Sequence, residues 1–148
     1  MQAIKYDFLL ADDDTDDCIF FKDALEDLPM EVTLTTVNDG VELMKRLTQP
    51  CKLPDILFLD LNMPRKTGME CLSEIKGDKE LSHVPVIIFS TSLDMKVVNL
   101  LYEKGAHFYI RKPGEFSTLK QIIHMAITLV ITSNKKLPPK ENFVLNAG

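Results

Sequence analysis

Aspartates, a lysine and two hydroxyls stand at the ends of apolar runs in this sequence, and their chemistry depends on that placement. The run Tyr6–Ala11 stops at Asp12, Asp13 and Asp14; Asp55–Leu61 is interrupted only by Asp60; Pro85–Ser90 ends in Ser90 with Thr91 next; His107–Ile110 leads to Lys112. If these runs are parallel strands, their carboxyl ends meet at one rim. Carboxylates crowded there repel one another and call for a cation, and oxygen ligands with room for water suit Mg2+. A lysine opposite supplies a second positive charge, and a nearby hydroxyl donates a hydrogen bond to an anion. An aspartate beside a metal ion and a lysine can attack phosphorus and become an acyl phosphate, while the cations neutralise charge spreading over the transferred oxygens. Taken singly, each residue has a structural explanation. The acidic run Asp12–Asp17 makes a favourable helix start, Asp60 a turn acid and Lys112 a surface lysine. It is the set, at four strand ends, that points to function.

The elements that must position this set alternate along the chain. After the strand Tyr6–Ala11, residues 16–28 carry Ile19, Phe20, Phe21, Ala24, Leu25 and Leu28 at helical spacing, with Thr15 or Asp14 as cap and Pro29 as terminator. Glu31–Val37 alternates with period two, as a half-exposed strand does, and Asn38-Asp39-Gly40 turns into a helix from Val41 to about Leu47. Pro50 and Pro54 bracket a loop. Asp55–Leu61 reads as a central strand covered on both faces. The loop marked by Met63-Pro64 and Thr67-Gly68 leads to a helix from Met69 to about Lys76. Pro85–Ser90 is a buried strand, Leu93–Lys104 a helix closed by Gly105, His107–Ile110 a last strand, and 115–131 an amphipathic helix. Right-handed crossovers turn these five strand–helix units into a doubly wound parallel sheet with helices on both faces. Such sheets bind ligands at the carboxyl ends of their strands, beside the switch in strand order. Residues 1–131 form the expected domain, and 132–148, with two adjacent prolines and no periodicity, are expected to be a tail that is mobile or docks on a neighbour.

Composition narrows the function classes. The chain has 148 residues, 45% hydrophobic and 26% charged, enough for one packed domain and against disorder. A formal net charge of -5 without a basic stripe argues against sequence-independent nucleic-acid binding. Cys18, Cys51 and Cys71 match no metal spacing and read as reduced thiols of a cytoplasmic protein. No secretory leader is legible at the N-terminus, and no run approaches the roughly 18 apolar residues of a membrane span.

Four segments, ADDD at 11–14, LFLDLNMP at 57–64, PVIIFSTS at 85–92 and YIRKP at 109–113, resemble the signatures of bacterial response-regulator receiver domains, in order and spacing, over about Tyr6 to Val130. The resemblance implies a five-stranded flavodoxin-like fold with strand order 2-1-3-4-5 and a phosphorelay role. Asp60 would be the phosphoacceptor. Asp12 and Asp13 would hold Mg2+ with Asp60 and the backbone carbonyl of Asn62, Asp13 being the direct ligand of the acidic pair. Ser90, fifth after Pro85, would be the switch hydroxyl rather than Thr91, Lys112 the phosphate-contacting lysine and Tyr109 the aromatic rotamer switch. Gly68 would serve a loop conformation with positive φ, and Lys112-Pro113 is often a cis bond in the family. The segments LSHVP and STS are similar to small stand-alone receivers that serve sensor histidine kinases, phytochrome-associated ones among them.

The donor implied is a sensor histidine kinase or phosphotransfer protein. Phosphorylation would draw Ser90 to a phosphoryl oxygen and Tyr109 inward, changing a surface made of the fourth helix, fifth strand and fifth helix. Phe108 and Tyr109 would be read there by a downstream protein, and dimers form through this face in the family. With no DNA-binding domain after the fifth helix, output is expected to run through protein contact. The Phe that commonly follows Lys-Pro is absent, and its apolar role passes to Phe116. The protein is not expected to be an enzyme beyond weak autophosphatase activity.

Three other readings fit less well. A haloacid-dehalogenase-type phosphatase needs an acid two residues after its nucleophile, where Asn62 stands after Asp60; Asp12 and Asp14 have that spacing but Asp16 follows where Thr or Val belongs. A flavodoxin-like cofactor binder needs a hydroxyl- and glycine-rich loop after the first strand, and this one is acidic. A calcium loop begun by Asp12, Asp14 and Asp16 has Asp17 in place of the required Gly and Asp23 in place of the expected Glu.

Overall fold

The computed structural model describes residues 4–49 and 52–146, so Pro50 and Cys51 lie outside the described residues. The strands are β1 (Lys5–Ala11), β2 (Glu31–Val37), β3 (Ile56–Leu59), β4 (Val86–Ser90), β5 (Phe108–Arg111) and β6 (Val144–Leu145). The helices are α1 (Thr15–Glu26), α2 (Gly40–Thr48), α3 (Gly68–Gly77), α4 (Met95–Glu103) and α5 (Phe116–Thr132). Every pairing is parallel, and the sheet order is β2-β1-β3-β4-β5-β6. The expected order 2-1-3-4-5 is present, but the sheet has six strands, not five: Val144 pairs with Tyr109 and Leu145 with Ile110. This pairing was illegible in the sequence because a two-residue strand carries no periodicity.

The period-two alternation of each strand sends side chains to two separate cores. Leu9, Leu57, Leu59, Ile88, Tyr109 and Phe143 join the core under α2, α3 and α4. Leu10, Phe58, Ile87, Phe89, Ile110 and Leu145 join the core under α1 and α5. On that second face Phe21 of α1 lies edge-on to Phe58 at 4.8 Å and to Phe89 at 5.4 Å. Each such buried aromatic pair adds about 0.5–1.5 kcal/mol beyond area burial, and together they fix α1 relative to the ends of β3 and β4. Phe116 packs on Phe20 at 5.5 Å, a placement consistent with the apolar role assigned to it.

Helix starts follow the side-chain chemistry. Asp14, not Thr15, caps α1 by accepting from the Asp17 N–H, and Asp39 caps α2 from Glu42. Thr67 and Glu70 form a reciprocal capping box on α3. The helix expected over 16–28 ends sooner, at Glu26, and the one expected from Leu93 begins at Met95 behind its cap Asp94.

Gly68 corrects one expectation. It opens α3 with no positive φ; its need for glycine is space. A Cβ there would lie 2.2 Å from the carbonyl oxygen of Asp60 and 2.8 Å from Cα of Leu61. The Gly68 N–H donates to the Leu61 carbonyl at 2.9 Å, so α3 starts directly against the strand end that bears Asp60. Gly105, by contrast, has φ +96, as its place after α4 requires.

Beyond α5 the chain reverses at Asn134 (φ 54) and Lys135 (φ 65), two consecutive left-handed residues without glycine. It then returns through a short 3-10 turn, Lys140–Asn142, to β6. No helix is long and apolar enough to cross a membrane among the described residues.

The two glycines of α3 make a paired test. Gly68→Ala is expected to destabilise by about 2–3 kcal/mol, because backbone must move to admit the methyl. Gly77→Ala, whose Cβ would meet nothing within 4 Å, is expected to be neutral or to gain up to about 1 kcal/mol. Urea midpoints of both variants against the parent check this; equal midpoints for Gly68→Ala and the parent would refute the steric argument.

Candidate functional site

Strand register decides which polar residues become neighbours. Ala11 pairs with Leu59 across β1 and β3, so Asp12 and Asp60, the next residue on each strand, emerge side by side. Backbone ladders continue through this point: the Asp12 N–H donates to Val37 O at 3.0 Å and the Asp60 N–H to Ala11 O at 2.9 Å. On the other side of β3, Ser90 pairs with Arg111, and the Lys112 N–H donates to Ser90 O at 2.7 Å. All four strand ends therefore face one rim, as the parallel topology requires.

One carboxylate oxygen from each of Asp12, Asp13 and Asp60 lies within 4.8 Å of the others, with Asp12 and Asp60 buried and Asp13 exposed. Lys112 answers this charge. Its ammonium donates to Asp12 Oδ2 at 2.7 Å and to Asp17 Oδ2 at 2.8 Å, and stands 3.6 Å from Asp60 Oδ2. It also lies over the Phe89 ring at 5.4 Å. Burial opposes the charged lysine, yet the hydrogen bonds to Asp12 and Asp17 outweigh it and raise its pKa above the ordinary value. For Asp60 the balance goes the other way. Burial, the largest cause, pushes its carboxyl up to about 6; Lys112 pulls it down, and Asp12 pushes it up again. One ammonium thus does not neutralise the group. The donor set of three carboxylate oxygens, with an exposed member open to water, suits a hard divalent cation.

The remaining expected residues occupy a second ring. The Asn62 backbone N–H hydrogen-bonds the Asp60 carboxylate, while the Asn62 side chain is exposed. Ser90 is buried, its Oγ 3.3 Å from Ser92 Oγ and accepting from the Ser92 N–H at 3.4 Å; Thr91 is exposed. Tyr109 points inward, 1% exposed, and its hydroxyl donates to the Ser92 carbonyl at 2.5 Å. Phe108 is buried too. The expectation that Phe108 and Tyr109 are displayed to a partner is thus corrected: Tyr109 lies in the core under α4 with Phe143 against its ring, and Phe108 lies in the opposite core with α5 and Leu145. No peptide bond is cis among the described residues, so Lys112–Pro113 is trans. Cys18 and Cys71 are free buried thiols whose pKa values burial pushes up to about 11, which keeps them protonated. The other acids of the first loop divide their work: Asp14 caps α1, and Asp16 is exposed.

Two contributors were missed in the sequence. Asp17 looked like part of a solvated helix start, but its place one turn beyond the rim turns it to Lys112. Ser92 lay inside the STS segment, and nothing in its type marked it as the link between Ser90 and Tyr109.

Comparison with known proteins agrees with this geometry. Response regulator Rcp1 from Synechocystis sp. is 29% identical over 120 residues, covering 78% of this chain and 82% of Rcp1. The crystal structure of the phosphorylated cyanobacterial phytochrome response regulator RcpA superposes with a TM-score of 0.79 at 33% identity, covering 92% of this chain and 100% of RcpA. The Mn(2+)-bound form of Rcp1 superposes with a TM-score of 0.76 at 27% identity, covering 90% of this chain and 99% of that one. The family model for the response regulator receiver domain matches residues 8–124, a span that runs from the sheet's first strand into α5 and takes in every acid at the rim and Lys112, and the chain belongs to that family.

Proposed function

We propose that this protein is a response regulator whose Asp60 accepts a phosphoryl group from a phosphohistidine donor, with Mg2+ as the required cation. The observation that carries this reading is the cluster of Asp12, Asp13 and Asp60 oxygens within 4.8 Å of one another, faced by Lys112. Asp12, Asp13, Asp60 and the backbone carbonyl of Asn62 would hold the ion, which supplies positive charge opposite the transferred oxygens when bound. An Asp60 carboxylate oxygen forms the new O–P bond as the donor's N–P bond breaks. The electron pair leaves on the imidazole nitrogen, which takes up a proton. Lys112, buried and already drawn to the site, stabilises the anionic oxygens. Ser90 supplies a hydroxyl that can turn from Ser92 to a phosphoryl oxygen, and Tyr109, bonded to Ser92, reports that movement to β5. The similarity to RcpA and Rcp1 supports a sensor histidine kinase of the phytochrome class as donor. The output is contact with a further protein through α4, β5 and α5, and the protein acts as a switch that slowly hydrolyses its own acyl phosphate.

Intact-mass measurement after exposure to Mg2+ and acetyl phosphate tests the acceptor. The parent should gain one phosphoryl group, and Asp60→Asn or EDTA-treated parent none. An equal gain in parent and Asp60→Asn would move the acceptor elsewhere.

The charge balance yields a second test. The folded Asp60 carboxyl binds its proton more tightly than the unfolded one, about 6 against the ordinary 3.8. Metal-free stability from this group is therefore fully present below pH 3.8, falls as pH rises through about 6, and stays low above it. Asp60→Asn removes the effect. At pH 7.5 without metal the variant should be more stable than the parent by roughly 3 kcal/mol, with the gain shrinking toward pH 4. Mg2+ should stabilise the parent more than the variant. Thermal unfolding across pH with EDTA or Mg2+ measures this; a variant less stable than parent at pH 7.5 in EDTA would contradict it.

A further inference from the structure

We propose that the segment from Pro138 to Leu145 is an internal strap that holds Tyr109 inward, so that docking of the strap and occupancy of Asp60 favour each other. The inference rests on the reading of Asp60 as phosphoacceptor.

The strap is fastened at several points. After the left-handed reversal at Asn134 and Lys135, the Lys135 N–H donates to Val130 O at 3.1 Å and His107 Nε2 meets Lys135 O at 2.9 Å. The Tyr102 hydroxyl of α4 donates to Pro138 O at 2.9 Å. Phe143 is 1% exposed; its ring lies edge-on to Tyr102 at 5.3 Å and against Tyr109 at 6.4 Å. The Tyr109 N–H donates to Phe143 O at 3.0 Å. A single residue of the strap therefore contacts both the helix beside the switch tyrosine and the tyrosine itself.

Tyr109 is tied at its other end to the site. Its hydroxyl donates to the Ser92 carbonyl, and Ser92 contacts Ser90 Oγ. The contacts thus run from Ser90 through Ser92 and Tyr109 to Phe143 without a gap. Phe143 occupies the side of β5 that faces α4, in the same core as Tyr109. An outward tyrosine would need that volume, so Phe143 docked and Tyr109 outward exclude each other. An event that draws Tyr109 inward then favours the docked strap, and the docked strap favours that event by the same factor.

Hydrogen exchange read by mass spectrometry tests the coupling, with Mg2+ and beryllofluoride as the phosphoryl mimic and full-length chain throughout. In the parent, beryllofluoride should slow exchange of residues 138–146 about fivefold or more. Phe143→Ala should speed that exchange about tenfold or more and weaken the apparent beryllofluoride affinity, and Phe143→Leu should restore most of both. Tyr109→Phe keeps the ring but removes the bond to Ser92, so its strap should stay protected yet no longer respond to beryllofluoride. Unchanged exchange of 138–146 in a parent that binds beryllofluoride and takes a phosphoryl group on Asp60 would overturn the strap alone. A parent that does neither would overturn the Asp60 reading, and the strap proposal with it.

Discussion

Three carboxylates brought within 4.8 Å of one another, two of them buried, repel strongly, and Lys112 is the ammonium placed among them. Its side chain is 9% exposed and it reaches Asp12, Asp17 and Asp60 at once. This ion cluster constrains the rest of the molecule. It fixes the ends of β1 and β3 side by side, demands that β5 deliver a lysine across β4, and draws the first turn of α1 over the rim through Asp17. Burial alone would drive the Asp60 carboxyl toward its neutral form. Lys112 prevents that in part, and Asp60 is left between the two states, with its carboxyl near 6. The donor set suits a hard divalent cation, and one held there would relieve repulsion already present in the fold.

The backbone around the cluster is correspondingly tight. Gly68 lets α3 begin against the Asp60 carbonyl, so the strand end cannot shift without moving a helix. Phe21 locks α1 to Phe58 and Phe89, and Phe89 in turn lies under the Lys112 ammonium. The core and the charged site therefore share side chains.

Much of this was legible in the sequence because it rests on two simple signals. Continuous apolar runs such as Ile56–Leu59 and Val86–Ser90 marked buried parallel strands, and the acids, hydroxyl and lysine sat immediately after them. Strand direction alone then gathers Asp12, Asp60, Ser90 and Lys112 at one end. The features that escaped depend on distances that spacing does not encode. Gly68 was read as a conformational glycine, whereas the constraint is a neighbour's carbonyl 2.2 Å from the missing Cβ. Asp17 was hidden in an acidic run whose members look alike. The return of the chain to β5 was unreadable because Val144–Leu145 is too short to show a period, and because Pro138-Pro139 suggested a tail.

That return changes what the α4–β5–α5 side of the molecule presents. A β5 at the sheet's edge would present its own hydrogen-bonding groups and the Tyr109 ring to any partner. Here β6 takes up those groups and Phe143 covers the ring, so β5 reaches solvent only through the side chain of Arg111. What this face exposes are apolar side chains of α4, such as Met95 and Leu100, and of α5 and the segment beyond it, such as Leu129 and Leu137. Of these, the α4 side chains sit on a helix packed over Tyr109 and Phe143, in the core opposite to that of α5. On the proposed reading, a hydrogen bond rearranged at Ser90 is felt at α4 through Ser92, Tyr109 and Phe143, and moves the apolar side chains that α4 exposes.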